Sequence, residues 1–315
     1  MNGQGKLLTH FLKNADKLVI PVYQRNYDWK EEHCKNSTLI LLKRSGRETL
    51  ALFGGIVSVS DPMGSSSDYL VIDGQQRITT VSLLLLAIAN LVKVSIVTPK
   101  DPNLYDVITK KYLVDEINPK QRKMKLKPIK GDQDSYDRLW GDPSEYNQSS
   151  RITQNYLYFY NQIQRDDISV DQLFSAVEKL QIIDITLTPP DDDPQLVFES
   201  LNSTGLDLNE GDKIRNFVLM RRSMEEQEQF YDDYWSPIEK NAYYDKQTNS
   251  YDVSPFIRDY LGIKERRLTA MKEIYQEFKD YVEKRGQIED VLKELLDYAK
   301  RYNEIRSGSP EFPSD

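Results

Sequence analysis

The chain has 315 residues, of which 39% are apolar, and a formal net charge of −8 at pH 7. This length is sufficient for one large domain or two smaller ones with ordinary hydrophobic cores. The negative charge excludes a protein that coats DNA over its whole surface, because counterion release requires a local excess of Lys and Arg. The single cysteine, Cys34, excludes intrachain disulfides and a four-cysteine zinc site.

No stretch of the sequence predicts a membrane span or an export signal. The longest apolar run, residues 81–97, is interrupted by Ser82, Asn90 and Lys93 and falls short of the roughly 20 apolar residues that a span needs. The N-terminus has no apolar signal region followed by a small-residue cleavage site. We therefore expect a cytoplasmic protein with no membrane partner.

The first part of the chain predicts a core of strands and helices. A short amphipathic helix at residues 6–15 precedes a strand at residues 18–20. Residues 50–59 are rich in β-forming side chains, and the pair Gly54–Gly55 favours a bulge or a close backbone approach. Turn residues separate this strand from another at residues 69–72, so the two strands are predicted to form a hairpin.

A polar loop, Asp73-Gly74-Gln75-Gln76-Arg77, follows the hairpin and precedes a helix with apolar side chains at helical spacing. This arrangement suits an anion, because the first helical N–H groups are unpaired and the helix dipole favours negative charge there. Gly74 lets the backbone approach a phosphate, Gln75 and Gln76 add amide donors, and Arg77 can bind phosphate oxygens through two hydrogen bonds.

Asp73 is unexpected beside an anion unless a metal ion or a proton is also bound. A role in holding Mg²⁺ or in orienting water is one interpretation, and Thr79 or Thr80 could then contact Mg²⁺ or a phosphate oxygen. The alternative is an ordinary turn in which Asp73 caps the helix. The residue types alone leave both interpretations open.

The segment Ile20 to Trp29, IPVYQRNYDW, places three aromatic residues and one Arg after a proline. Aromatic rings beside Arg suit base stacking and phosphate contact, and the same group also suits a surface loop folded back on a core. Both interpretations stay open.

The segment Phe198 to Gly205, FESLNSTG, predicts the end of a helix, and another helix follows with Asn209 as its N-cap. Side chains here that could contact Mg²⁺, water or phosphate are Glu199, Asn202, Thr204, Lys213 and Arg215. A plain helix C-cap followed by a capped helix is the alternative.

Other segments have simpler interpretations. The Lys-rich residues 110–130 favour a solvated hairpin, with a local DNA contact as the alternative. His33 and Cys34 predict a partly exposed helix start without a nucleophilic role. Residues 181–187 alternate in part like a strand, and beyond about residue 225 the aromatic side chains at helical spacing predict a hydrophobic core.

The segments at residues 20–29, 73–80 and 198–205, in this order, resemble the N-terminal domain family of GmrSD-type modification-dependent restriction enzymes, also known as domain of unknown function 262. The resemblance covers roughly residues 5–300. It implies an α/β (α+β) fold with a ParB/sulfiredoxin-like N-terminal core and a large, mostly helical C-terminal region. We expect the following parts: a core at 1–100, an extension completing the nucleotide site at 101–225, a helical region at 226–306 and a disordered tail at 307–315.

The resemblance further implies that the loop at residues 73–77 binds and hydrolyses nucleoside triphosphates with Mg²⁺. Asp73, Arg77 and Glu199 are then the expected catalytic residues, and Asp73 and Glu199 the expected Mg²⁺ ligands. The expected nucleotide-binding residues are Gly74, Gln75, Gln76, Thr79, Thr80, Tyr23, Gln24, Arg25, Asn202, Thr204, Lys213 and Arg215. Whether Tyr23, Gln24 and Arg25 belong to the nucleotide pocket or sense modified DNA stays open.

Members of this family are commonly fused to, or paired with, a His-Asn-His-type nuclease. This chain has only His10 and His33, so we expect the nuclease on a separate chain or beyond residue 315. The expected role is that of a nucleotide-hydrolysing sensor in a bacterial defence system against modified phage DNA, with DNA and a nuclease as partners and a homo-oligomer as an open question. A non-hydrolysing module that binds modified DNA or nucleotide, and a DNA-nicking subunit, are the alternatives.

Overall fold

A computed structural model of the protein describes residues 2–42, 51–60, 68–115, 123–165, 169–189, 191–202, 208–220, 222–242, 244–245 and 250–307. The chain divides into two compact units. Unit 1 consists of Met1–Pro21 and Arg25–Phe198, and unit 2 of Val22–Gln24 and Glu199–Asp315. The boundaries predicted at residues 100, 225 and 306 stay predictions.

Unit 1 contains the strands and most of the helices that precede residue 199. They are β1 (Asn2–Leu7), α1 (Leu8–Asn14), β2 (Lys17–Val19), α2 (Glu31–Leu42), β3 (Ala51–Ser60), β4 (Asp68–Asp73), α3 (Gln75–Lys93), α4 (Leu104–Ile108), β5 (Val114–Asp115), β6 (Lys123–Met124), β7 (Leu126–Lys127), α5 (Lys130–Arg138), α6 (Arg151–Ile163), α7 (Val170–Glu178) and β8 (Leu180–Leu187). A further helix, α8 (Pro194–Asn202), begins in this unit.

A six-stranded mixed sheet with the order β1-β8-β3-β4-β2-β7 forms the centre of unit 1. β3 and β4 pair antiparallel and β3 and β8 pair parallel, so the predicted hairpin and the predicted strand at 181–187 are confirmed. The register between β3 and β8 shifts between Leu52 and Gly54, so the strand is irregular next to the glycine pair, where a bulge or a close backbone approach was expected. The predicted α/β class is therefore correct, and the likeness to ParB and sulfiredoxin stays a prediction.

The core helix of unit 1 is α3. Its side chains are buried almost throughout, and α6 lies alongside it. Among the described residues α3 is the one helix long and apolar enough to cross a membrane, but 83% of its most apolar window is buried inside the protein. That burial is typical of a core helix.

Local sequence explains where several helices of unit 1 begin. Ser150 caps α6 by accepting from the N–H of Ile152, and Ser169 forms a capping box with Gln172 at the start of α7. α3 begins at Gln75, so the polar loop is shorter than predicted. Three of its five residues form the first helical turn, because Gly74, with a φ of +94°, is the single residue between β4 and α3.

Two polar side chains of unit 1 are more buried than the sequence predicts. Lys125, from the basic stretch that predicts a solvated hairpin, is 7% exposed and donates to the main-chain oxygens of Leu12 and Lys13 at 3.1 and 2.9 Å. Burial lowers the pKa of Lys125. β5 and β6 form the predicted hairpin. The prediction that its basic side chains are solvated is wrong for Lys125. Cys34 is fully buried, so a partly exposed position is wrong.

Unit 2 is mostly helical, as predicted. Its described elements after α8 are α9 (Glu210–Leu219), α10 (Met224–Phe230), α11 (Ser236–Ala242), β9 (Tyr244–Asp245), β10 (Ser250–Tyr251), α12 (Ser254–Glu265), α13 (Ile274–Arg285) and α14 (Ile288–Ser307). Asn209 caps α9 by accepting from the N–H of Asp212, and Trp235, Phe278 and Leu295 are buried. The predicted cap and aromatic core are therefore confirmed. Residues 308–315 of the predicted tail lie outside the described residues.

Candidate phosphate-binding site

The N-terminus of α3 has no side-chain cap. Gly74 precedes the helix with a φ of +94°, and the first turn contains no acidic residue. A Cβ at Gly74 would lie 3.0 Å from the main-chain oxygen of Gly55 and 3.1 Å from Cγ1 of Ile56, so the conformation and the close packing both favour glycine. The interpretation of Asp73 as the helix cap is wrong. The first N–H groups of α3 and its dipole instead suit an anion.

Arg77, in the first turn of α3, lies against β3. Its Nη1 donates to the main-chain oxygen of Gly55 at 2.7 Å. A Cβ at Gly54, which has a φ of +123°, would lie 2.8 Å from Nε of Arg77. The Arg77 side chain is still 32% exposed, and none of the described residues accepts a hydrogen bond from its Nη2. The guanidinium is thus fixed on one side and retains free donors for an anion.

Asp73 ends β4 next to Arg77. Its Oδ2 lies 3.7 Å from Nη1 of Arg77, and its side chain is 37% exposed. No group of three or more His, Cys, Asp and Glu side chains suitable for a metal ion occurs among the described residues. Mg²⁺ is commonly held by one or two carboxylates together with substrate phosphates and water. Asp73 therefore fits a Mg²⁺ ion that arrives with phosphate groups, and does not fit an ion held by protein side chains alone.

Gln76 is buried, and both ends of its amide contact the main chain of the aromatic segment. Its Oε1 accepts from the N–H groups of Asp28 and Trp29 at 3.1 and 3.2 Å, and its Nε2 donates to the oxygen of Asn26 at 3.2 Å. These three hydrogen bonds join the aromatic segment and the first turn of α3 within unit 1. The amide of Gln76 thus holds residues 26–29, whereas the sequence suggested a contact with nucleotide.

Thr80 belongs to a buried hydroxyl cluster centred on Tyr27. The two hydroxyls lie 2.7 Å apart, and Asn155 donates from Nδ2 to the Tyr27 hydroxyl at 3.0 Å and to the oxygen of Trp29 at 2.6 Å. The N–H of Tyr27 donates to Oδ2 of Asp132 at 2.6 Å. Burial raises the pKa of Tyr27 well above its ordinary value. The hydroxyl therefore stays protonated and serves as a hydrogen-bonding group of the core.

The remaining predicted residues of unit 1 differ in their burial. Gln75 and Thr79 are buried on α3, whereas Arg25 is half-buried. The ring of Trp29 stacks on that of His33, with centroids 5.7 Å apart and an interplanar angle of 20°. Sequence reasoning missed Asn155. The available signal was an amide side chain on the largely apolar buried face of α6.

Unit 2 holds Tyr23 and Gln24, which are both buried. Burial raises the pKa of Tyr23. In the same unit the predicted residue Arg215 is 5% exposed in its side chain and donates from Nε to the oxygen of Val22 at 2.9 Å. Its Nη1 pairs with Glu239 at 3.3 Å, and its guanidinium lies 5.1 Å from the ring centroid of Tyr231. Arg215 therefore anchors residues 22–24 within unit 2.

The other predicted residues of unit 2 are less informative about a ligand. Lys213 is 39% exposed and pairs with Glu210 at 2.6 Å, as helical residues three apart often do. Glu199 and Asn202 lie in α8, but their side chains are outside the described residues, and so is the whole of Thr204. Their expected contacts with Mg²⁺ and nucleotide stay predictions.

Comparison with known families identifies the family of this chain. A model of the N-terminal domain of GmrSD restriction endonucleases matches residues 8–219, about two thirds of the 315-residue chain. The chain belongs to the GmrSD N-terminal domain family. The matched range contains the aromatic segment, the Asp73–Arg77 element and the segment at residues 198–205, and membership makes the chain a component of a restriction system. A search of curated proteins found no match.

Proposed function

We propose that this member of the GmrSD N-terminal domain family binds a nucleoside triphosphate at the start of α3 and hydrolyses it with Mg²⁺. Hydrolysis would regulate restriction of modified DNA, in partnership with DNA and with a His-Asn-His-type nuclease domain or subunit. One observation carries the proposal: Arg77 is fixed against β3 and still partly exposed, directly beside an uncapped helix N-terminus.

Preorganised donors explain how this element could promote phosphoryl transfer. The free N–H groups of the first turn and the outward donors of Arg77 would stabilise charge on the transferring phosphoryl group, without rearranging during the reaction. A bound Mg²⁺ ion would neutralise charge on the phosphate oxygens. Asp73 would hold that ion or orient the attacking water, and Glu199 is a second candidate for either role.

Phosphate release provides the test. Wild type is incubated with ATP, GTP, CTP and UTP, with Mg²⁺ and with or without modified DNA, and compared with Arg77→Ala and Asp73→Asn. Loss of one such donor typically slows turnover about 100-fold, so Arg77→Ala is expected to lose most of its phosphate release. Asp73→Asn is expected to lose release because it removes the carboxylate that would hold Mg²⁺ or orient water. Both variants should remain folded. Arg138→Ala is the matched control, because Arg138 and Asp134 form an exposed pair at the same spacing on α5.

Three results would contradict the proposal in different ways. Release that persists in Arg77→Ala at the rate of the Arg138→Ala control would place the reaction elsewhere. Tight nucleotide binding without release under any condition would exclude hydrolysis and favour a nucleotide-binding module. DNA nicking by wild type that is lost in Asp73→Asn would favour the other alternative, a DNA-nicking subunit.

A further inference from the structure

The Trp29–His33 stack presents partly exposed aromatic rings in unit 1. The ring centroids lie 5.7 Å apart at an interplanar angle of 20°, and both residues are half-buried. Flat aromatic surfaces bind nucleobases by stacking, and the interaction tolerates any base because every base has a π-face. Trp29 also packs against the hydrophobic core of unit 1, so part of its side chain is held by core residues.

The main chain around Trp29 is fixed by hydrogen bonds on both sides of the residue. Its N–H donates to Oε1 of Gln76 at 3.2 Å, and its oxygen accepts from Nδ2 of Asn155 at 2.6 Å. The N–H of Lys30 donates to Nδ1 of His33 at 3.0 Å, which also holds the second ring. A rigid stack loses little conformational freedom when a ligand binds, so more of the stacking energy contributes to affinity.

The position of Gln76 links this stack to the proposed phosphate site. Gln76 is the neighbour of Arg77 in the first turn of α3, and its amide contacts the N–H of Trp29 directly. A single side chain therefore separates the helix N-terminus from the main chain of Trp29. A nucleotide carries its phosphates and its base in one molecule, so the phosphate site and the base site have to be neighbours.

We propose that the Trp29–His33 stack is a nucleobase-binding surface and that Gln76 is the residue that positions it. The proposal extends the proposed function, since the base of a triphosphate bound at the start of α3 would lie on this stack. The shared chemistry is a nucleobase, and its source is either free nucleotide or an unpaired DNA strand. Gln76 acts here through the main chain of residues 26–29 and makes no contact with the ligand.

Fluorine NMR of the full chain labelled with 5-fluorotryptophan tests the surface without relying on activity. The chain has three tryptophans, and the resonance missing from Trp29→Phe identifies Trp29. Titrations use ATP, adenosine and a single-stranded oligonucleotide, with binding measured in parallel by calorimetry. We expect the Trp29 resonance to shift on binding, while those of Trp140 and Trp235 stay in place. We also expect Trp29→Ala to raise the Kd for ATP about tenfold.

The positioning role of Gln76 is tested by the same NMR measurement on the protein without ligand. Gln76→Ala is expected to shift or broaden the Trp29 resonance before any ligand is added, whereas Gln133→Ala, on the exposed face of α5, should not. An unchanged Trp29 resonance in folded Gln76→Ala would overturn the positioning role.

The titrations separate this proposal from the proposed function. ATP binding with a stationary Trp29 resonance would overturn the nucleobase surface and leave the phosphate site intact. A shift with the oligonucleotide, together with no binding of ATP, would support the surface and contradict nucleotide binding. A resonance that moves with none of the three ligands would overturn the surface outright.

Discussion

Nη1 of Arg77 donates to the main-chain oxygen of Gly55 at 2.7 Å and thereby ties the first turn of α3 to β3. The bond is possible because Gly54 and Gly74 have no side chains in the space between the helix and the strand. A charged group held in this way needs no reorganisation when charge develops on a bound phosphate. The glycines are therefore part of the proposed site although they carry no chemistry themselves.

Gly54→Ala should displace Arg77. The added Cβ would lie 2.8 Å from Nε of Arg77, and the φ of +123° disfavours any residue with a side chain. We expect the free energy of unfolding to fall by about 1–3 kcal/mol and phosphate release to fall with it. Gly5→Ala is the control, because nothing lies within 4 Å of a Cβ there. Equal stability and activity of the two variants in urea unfolding and turnover assays would contradict the placement of Arg77.

Thr80→Val removes a hydroxyl that bonds to Tyr27 and to the oxygen of Gln76. We expect urea unfolding to show a loss of about 1 kcal/mol, because a paired buried hydroxyl is replaced by a methyl group of the same shape. Thr153→Val is a matched control on α6. The Thr153 hydroxyl is buried and has no hydrogen-bond partner among the described residues, so its loss should be neutral or stabilising. The reverse order of stability would contradict the hydroxyl cluster.

The hairpin, the core helix and the irregularity at the glycine pair are predictable from the sequence because each follows from a local pattern. Richness in β-forming residues predicted β3, the turn residues before residues 69–72 delimited β4, and apolar spacing predicted α3. The start of α3 was placed too late, since Gln75, Gln76 and Arg77 have the polarity of a loop until their contacts with β3 and the aromatic segment are known.

The contacts that define the site were not predictable in the same way. Asn155 bonds to Tyr27 and Trp29, which precede it by 128 and 126 residues, and no local pattern encodes such a distance. The burial of Lys125 was not predictable either, because the main-chain oxygens to which its ammonium group donates belong to α1. The sequence alone identified the motifs. Tertiary packing determines which of their side chains are available to a ligand and which form hydrogen bonds within the protein.

Arg215→Lys should destabilise unit 2. A lysine cannot reproduce the contacts of the guanidinium with the oxygen of Val22, Glu239 and the ring of Tyr231. We expect a loss of about 2 kcal/mol in the free energy of unfolding, the usual scale for a hydrogen bond to a charged group. Lys213→Ala, which removes an exposed helical pair, should cost less than about 0.5 kcal/mol. Similar losses for the two variants would contradict an anchoring role for Arg215.

The thiol of Cys34 should be unreactive in the folded protein near neutral pH. Burial raises the pKa of Cys34 to about 11, so little thiolate forms at pH 8, and the side chain is fully buried. We expect a thiol reagent to label it at pH 8 only after denaturation. Since the folded state keeps its proton above the unfolded pKa of about 8.5, this thiol should also lower stability as pH rises from there towards 11. Rapid labelling of native protein at pH 8 would contradict the burial.

Equilibrium binding of a non-hydrolysable nucleoside triphosphate, measured by calorimetry with Mg²⁺ for wild type, Arg77→Ala and Arg138→Ala, decides whether the start of α3 binds nucleotide. We expect binding to wild type and Arg138→Ala, and at least a tenfold rise in Kd for folded Arg77→Ala. Equal affinity in all three proteins would show that the start of α3 is not the nucleotide site.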